Sequence, residues 1–302
     1  MLFTNERLGN FAKDPAIIRY KGEYFMYYTI KYCSCNFKIG IGIARSSNME
    51  SWIDCGEMPL TLECEKNGIG APAAIVFGNV VHIFYQTYGN WKNDAICHAT
   101  STDGITFEKD PSNPIFHPTN DWCCGRAIDA DVCLFKDRIF LYFATRDHNM
   151  KIQKIGCAWA DPSSNMSRSS WHQTIPQSIL TPEMAWEGEC IEAPATIVND
   201  GRLFMFYGGS YNCTPQQIGC AYSDDGIFFQ RAFTTPFMTN GAPGSWNSCE
   251  SGHPYVFRDY NGRVYLFYQG SPDMGQTWYL SRTEIAFDKN NMPFILSDVS
   301  KQ

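Results

Sequence analysis

Five short segments each set a chemically distinct residue at the head of an apolar run. They are Lys13-Asp14-Pro15, Gly70-Ala71-Pro72, Ile128-Asp129-Ala130, Glu192-Ala193-Pro194 and Gly252-His253-Pro254. Three of the five bring a carboxylate. Two carboxyl groups facing one another across a sugar can cleave a glycosidic bond, one giving a proton to the leaving oxygen and the other activating water or attacking carbon. A third nearby would raise the acid's pKa by like-charge repulsion. A single Asp at a strand start is usually a turn or capping residue. Three acidic residues among five equivalent positions favour a shared site instead.

What positions them is a repeated hairpin. After each head comes a short apolar run, a polar turn such as Asn199-Asp200-Gly201, and an aromatic-rich second strand beginning at Tyr24, Val81, Ile139, Leu203 or Val264. These second strands recur about every 60 residues. Their near-continuous apolar character predicts sheets covered on both faces. A third element repeats downstream at Ile41–Ser46, Ile96–Ser101, Ile155–Ala160 and Ile218–Ser223, with a degenerate fifth copy near Trp278–Ser281. Turns at Asp103-Gly104 and Asp225-Gly226 introduce fourth strands, with Trp52 and Trp171 at the matching places of two other units. Five four-stranded antiparallel units with hardly a candidate helix predict an all-β, five-bladed β-propeller, a single domain over 1–302. In such a fold the heads of the first strands meet at one mouth of the axial channel. Glu192 sits one residue earlier than Asp14 relative to its turn glycine, so the two need not point the same way.

Composition narrows the partners. The chain has 302 residues, 44% hydrophobic and 15% aromatic, which is enough for a packed core. A net charge of −7 without a Lys/Arg cluster argues against nucleic acid or an anionic membrane, and no apolar run reaches membrane-spanning length. The thirteen cysteines form no Cys-x-x-Cys motif. Cys133, Cys157 and Cys220 lie in apolar strands, where a thiol serves as a small hydrophobe, and the close pairs Cys33/Cys35 and Cys123/Cys124 do not suit structural zinc. With no basic-then-apolar leader at Met1–Arg7, the expectation is a cytoplasmic protein with reduced thiols.

The Asp-Pro, Ile-Asp and Glu-x-Pro elements, each heading a hairpin in a fivefold repeat from Asp14 to Tyr268, resemble glycoside hydrolase family 43 and the related five-bladed families 32, 62, 68 and 117. That resemblance implies Asp14 as general base, Glu192 as general acid and Asp129 as the residue that tunes and orients the acid. It also implies inversion at the anomeric carbon, with acid and base about 6.5–9.5 Å apart. Ser251-Gly252-His253 is similar to the Gly-His segment of that family's last blade. His253 is thereby a candidate substrate-binding or metal-site residue, with a structural Ca2+ in the channel the ion implied and no cofactor required. Gly70-Ala71-Pro72 departs from the family's usual Trp-Ala-Pro and removes an expected stacking surface.

Trp122, Arg126 and Trp186 precede the acidic heads and are candidates for the pocket rim, by ring stacking and directed hydrogen bonds. Asp131, Glu187 and Glu189 compete with the acidic assignments; Asp131 is expected on the face of Asp129, deeper in the channel. The expected activity is inverting, exo-acting release of a terminal furanose or pentopyranose from a small glycan, with loops Cys33–Lys38 and Asn113–Gly125 long enough to close one end of a groove. The alternatives are a retaining fructan-type hydrolase, a glycoside phosphorylase, for which Arg126 and Arg146 are the only hints, and a carbohydrate-binding propeller without catalysis.

Overall fold

The computed structural model describes residues 2–7, 9–33 and 38–296. Cys35, the side chain of Cys33 and most of the Cys33–Lys38 loop therefore lie outside the described residues. The strands form five antiparallel sheets, four of them in simple sequential order. The innermost strands are Lys13–Tyr20, Ile69–Phe77, Ile128–Phe135, Ile191–Asn199 and Glu250–Arg258, in blades I to V. Each neighbours the next around a ring, and the last neighbours the first. This is the five-bladed β-propeller that the repeat implies.

The second strands are Glu23–Cys33, Val80–Thr87, Arg138–Arg146, Arg202–Gly209 and Val264–Ser271. Their aromatic residues fill the space between blades: Tyr27, Tyr85, Phe143, Tyr207 and Phe267 are all buried. Five apolar clusters, each spanning two adjacent blades, replace a single central core. Both faces of every second strand are therefore covered, which is why the sequence shows no alternation there. Left-handed φ at Asp200 and Gly201 makes the blade IV hairpin turn twist with its strands.

Blade V departs from the pattern. Its third strand, Tyr279–Phe287, is paired on its outer edge by Leu2–Phe3 along one stretch and by Pro293–Ile295 along another. The degenerate fifth copy of the repeat thus borrows from the start of the described chain to complete its sheet.

Eleven described cysteines are free, among them the buried Cys97, Cys123, Cys157, Cys190 and Cys220. No helix among the described residues is long and apolar enough to cross a membrane.

Candidate active site

Every inner strand begins with a β-bulge, between Lys13 and Ala16, Gly70 and Ala73, Ile128 and Asp131, Glu192 and Ala195, and Gly252 and Tyr255. At each bulge one non-glycine residue takes a left-handed φ: Asp14 (53°), Ala71 (43°), Asp129 (51°), Ala193 (52°) and His253 (42°). Such backbone costs on the order of 1–3 kcal/mol per residue and persists only where the surroundings hold it. In four bulges the next residue is proline, so only the bulge residue's own N–H needs an acceptor. The neighbouring blade supplies it. Gln269 Oε1 accepts from Asp14 N (3.0 Å), Thr29 Oγ1 from Ala71 N (2.8 Å), Gln86 Oε1 from Asp129 N (2.7 Å) and Gln216 Oε1 from His253 N (3.1 Å). The bulges re-aim side chains toward the axis, and the caps lock each aim to the next blade.

Asp14, Asp129, Glu192, His253 and Arg126 line one cavity of about 210 Å³, with Lys13, Tyr88, Arg146, Gln153, Tyr211 and Asn212 among its other walls. In blade IV the bulge residue is Ala193, so Glu192 occupies the register held by Lys13, Gly70, Ile128 and Gly252 elsewhere. This is the one-residue offset visible in the sequence.

The three carboxyl groups sit in unlike surroundings. Burial alone would raise Asp14, but the charges of His253 and Lys13 and hydrogen bonds from Thr29 and Ala71 outweigh it and hold it below the usual carboxylate range. His253 Nδ1 lies 3.1 Å from Asp14 Oδ1. Asp129 is pushed up to about 7, chiefly by burial; His253 and Arg126 pull it down while the Glu192 and Asp14 carboxylates push it up. Glu192 takes an amide N–H on each oxygen: Gln153 Nε2 donates to Oε2, and Gln216 Nε2 donates to Oε1 at 2.6 Å. Lys13 stands over the Trp278 ring at 4.3 Å, raised despite burial by Asp14, Glu250 and Glu192.

Arg126 reaches the pocket already paired with the buried Asp94 at 3.2 Å. The two tryptophans do not reach it. Trp122 packs its six-membered ring into the notch left by Gly156 and joins the cluster between blades II and III, and Trp186 lies on Gly209 and stacks on Tyr207. In both cases a glycine on a neighbouring strand opens a slot that an indole fills better than water would. Tyr88, Tyr211 and Phe11 are the aromatic residues that line the cavity instead.

The competing acids are also placed. Asp131 is buried beyond the bulge, held by Thr196 and pushed up to about 7 by burial, and lines no part of the cavity. Glu187 is clamped by Tyr207 and Arg231, and Glu189 pairs with Lys151 at the surface. Among the described residues no three His, Cys, Asp or Glu side chains gather as a metal site, and His253 turns its Nδ1 to Asp14. The described residues do not fit the implied Ca2+ as direct side-chain ligands.

Sequence reasoning passed over Gln153, Gln216, Lys13 and Tyr88. A signal existed for the caps: Thr29, Gln86 and Gln269 each directly follow the tyrosine of a second strand. In blades III and IV that place holds Ala144 and Gly208, and Gln153 and Gln216 from the third-strand side serve the pocket there.

A five-bladed ring with carboxylates from separate blades converging on a single cavity defines a propeller glycoside hydrolase. Solved structures of similar fold include a thermostable family-43 glycoside hydrolase (18% identity, 97% of this chain and 96% of that one, TM-score 0.77). They also include an endo-1,4-beta-xylanase from Bacteroides thetaiotaomicron (18%, 94% of each chain, TM-score 0.73) and an alpha-L-arabinofuranosidase from Lactobacillus brevis (15%, 96% and 95%, TM-score 0.72). No curated protein sequence matches the chain. The chain does match Glycosyl hydrolases family 43 over residues 3–288 and belongs to that family.

Proposed function

We propose that the protein is an inverting, exo-acting glycosidase that releases a terminal furanose or pentopyranose from a small glycan. One observation carries this reading: within a single cavity Asp14 is held below the carboxylate range while Asp129, beside Glu192, is held up at about 7. Environments that push carboxyl groups apart in this way divide base from acid. In the proposed reaction Asp14 orients a water and takes its proton as the oxygen attacks the anomeric carbon. Glu192 gives its proton to the departing glycosidic oxygen, so the bond to the leaving group breaks as the bond to water forms, and the configuration inverts. Asp129 and Glu192 hold one proton between them at neutral pH, because the charge of whichever is ionised disfavours ionising the other. His253 and Lys13 hold Asp14 ionised. The small cavity suits one sugar ring, which supports exo action.

The test is proton NMR of the first-formed product from aryl arabinofuranosides, xylosides, galactosides, galactofuranosides and fructosides. Release of one sugar with inverted configuration is expected; a retained configuration would make Asp14 a nucleophile, and binding without turnover on every substrate would remove the catalytic reading.

A further inference from the structure

The two amides that hold Glu192 differ in how their own orientation is fixed. Gln216 is fixed by backbone groups of single polarity: its Oε1 accepts from His253 N, and its Nε2 donates to Ser210 O at 2.9 Å as well as to Glu192. Both of those partners are backbone groups, so they remain when neighbouring side chains are changed. Gln153 has no such backbone lock on its amide. Its Oε1 accepts from Arg146 Nε at 2.7 Å, and among the described residues only that contact decides that N–H rather than C=O faces Glu192. Guanidinium has donors and no acceptor, so it forces the choice. Arg146 is itself held, with Nη1 donating to Met150 O at 3.3 Å and its plane over the Tyr211 ring at 5.1 Å. Among the described residues it forms no ion pair.

The direction matters because a carboxylic acid that must protonate a leaving oxygen has to carry its proton on the side facing substrate. When each oxygen already receives an amide N–H from the protein side, the acidic proton is left pointing into the cavity. Were Gln153 to turn over, its carbonyl would accept that proton and draw it into the wall. We propose that Arg146 is a positioning residue for the acid: by holding Gln153 Oε1 it keeps an N–H on Glu192 and prevents the amide from trapping the proton. This rests on Glu192 being the acid.

The trap makes a prediction that ordinary packing does not. Arg146→Met frees Gln153 to turn, whereas Gln153→Met removes both the donor and the trapping carbonyl. With phenyl glycosides of the sugar that the product assay identifies, Arg146→Met should lower kcat by about 100-fold, the scale of a misplaced catalytic group. Gln153→Met should cost roughly 10-fold, and the double variant should recover to the level of Gln153→Met, a non-additive cycle. With dinitrophenyl glycosides, whose leaving group needs little protonation, all three should fall within about threefold of wild type, with KM little changed throughout. A double variant no better than Arg146→Met, or a loss that appears in KM and is equal for both leaving groups, would overturn the proposal and make Arg146 a substrate contact or a scaffold residue. Glu192→Gln, measured beside them, keeps the two readings apart. If it shows no dependence on the leaving group, Glu192 is not the acid and the proposal falls with that assignment; if it does and Arg146→Met does not, only the positioning role falls.

Discussion

In blade II the short turn Glu63–Glu65 places Glu65 beneath Tyr85 and Lys109; in blade IV the turn Ala185–Glu187 places Glu187 beneath Tyr207 and Arg231. Both glutamates are fully buried, and both take backbone N–H groups from the start of their own turn. Each stays below the usual range although burial opposes it, because a cation and the tyrosine hydroxyl meet it. The two blades then diverge at the head of the inner strand. Blade IV presents Glu192 to the cavity, and blade II presents Gly70, where a Cβ would lie 2.7 Å from Ile39 and 3.0 Å from Thr29. In blade IV the clamped carboxylate and the one that faces the cavity are therefore separate residues. An acidic residue near the axis is a candidate for chemistry only if it faces the cavity, as Asp14 does even while paired with His253; Glu65 and Glu187 are sealed away from it.

The sharpest way to break the comparison is to exchange the carboxylates' fates. Glu192→Gln and Asp14→Asn should each lower kcat by about a thousandfold while leaving ligand affinity and unfolding midpoint nearly unchanged, as read by kinetics, calorimetry and urea titration. Glu65→Ala and Glu187→Ala should do the reverse. Glu65→Ala leaves Lys109 without its carboxylate and should cost about 3–5 kcal/mol of stability in the same urea titration; Glu187→Ala should cost less, because Arg231 keeps its pair with the exposed Glu183. Gly70→Ala, which overfills blade II where Glu192 is accommodated in blade IV, should cost about 1–3 kcal/mol.

The smallest effect concerns pH. Asp129, Asp131 and Glu250 are each held up at about 7, chiefly by burial, so the folded protein keeps protons that the unfolded chain releases near pH 4. Stability should fall as pH rises from about 4 to about 7, lowering the melting temperature by on the order of 5 °C. The clamped Glu65 and Glu187 and the paired Asp14 work the other way and lose their contribution only as pH falls below the ordinary carboxylate range. Asp129→Asn should flatten the neutral slope, and in the wild type kcat/KM should decline above about pH 7 as the Asp129–Glu192 pair loses its shared proton.

Much of this was legible in the chain. The aromatic second strands announce their period because blades stack face to face and every second strand needs apolar cover on both sides. Asp14, Asp129 and His253 were legible as cavity residues because a bulge at a fixed place in each repeat sets one residue apart, and Glu192 because it directly precedes the bulge of its blade. The amides were not, since Gln216 does for His253 what Thr29, Gln86 and Gln269 do from second strands, Gln153 bonds Glu192 itself, and no one-dimensional spacing records either arrangement. Trp122 and Trp186 misled because nearness to an acidic head in sequence says nothing of a glycine slot on the next strand. The paired outer edge of blade V was hidden for the same reason, its partner lying at the opposite end of the chain.

That last pairing has a kinetic meaning. The ladder between Leu2–Phe3 and Ser281–Leu280 joins residues separated by almost the whole chain, so it carries the largest loop-closure entropy in the molecule and rewards folding only after the blades have stacked. Ring closure is then expected late in assembly, and the amides paired along this short strand should exchange faster than those of the inner strands.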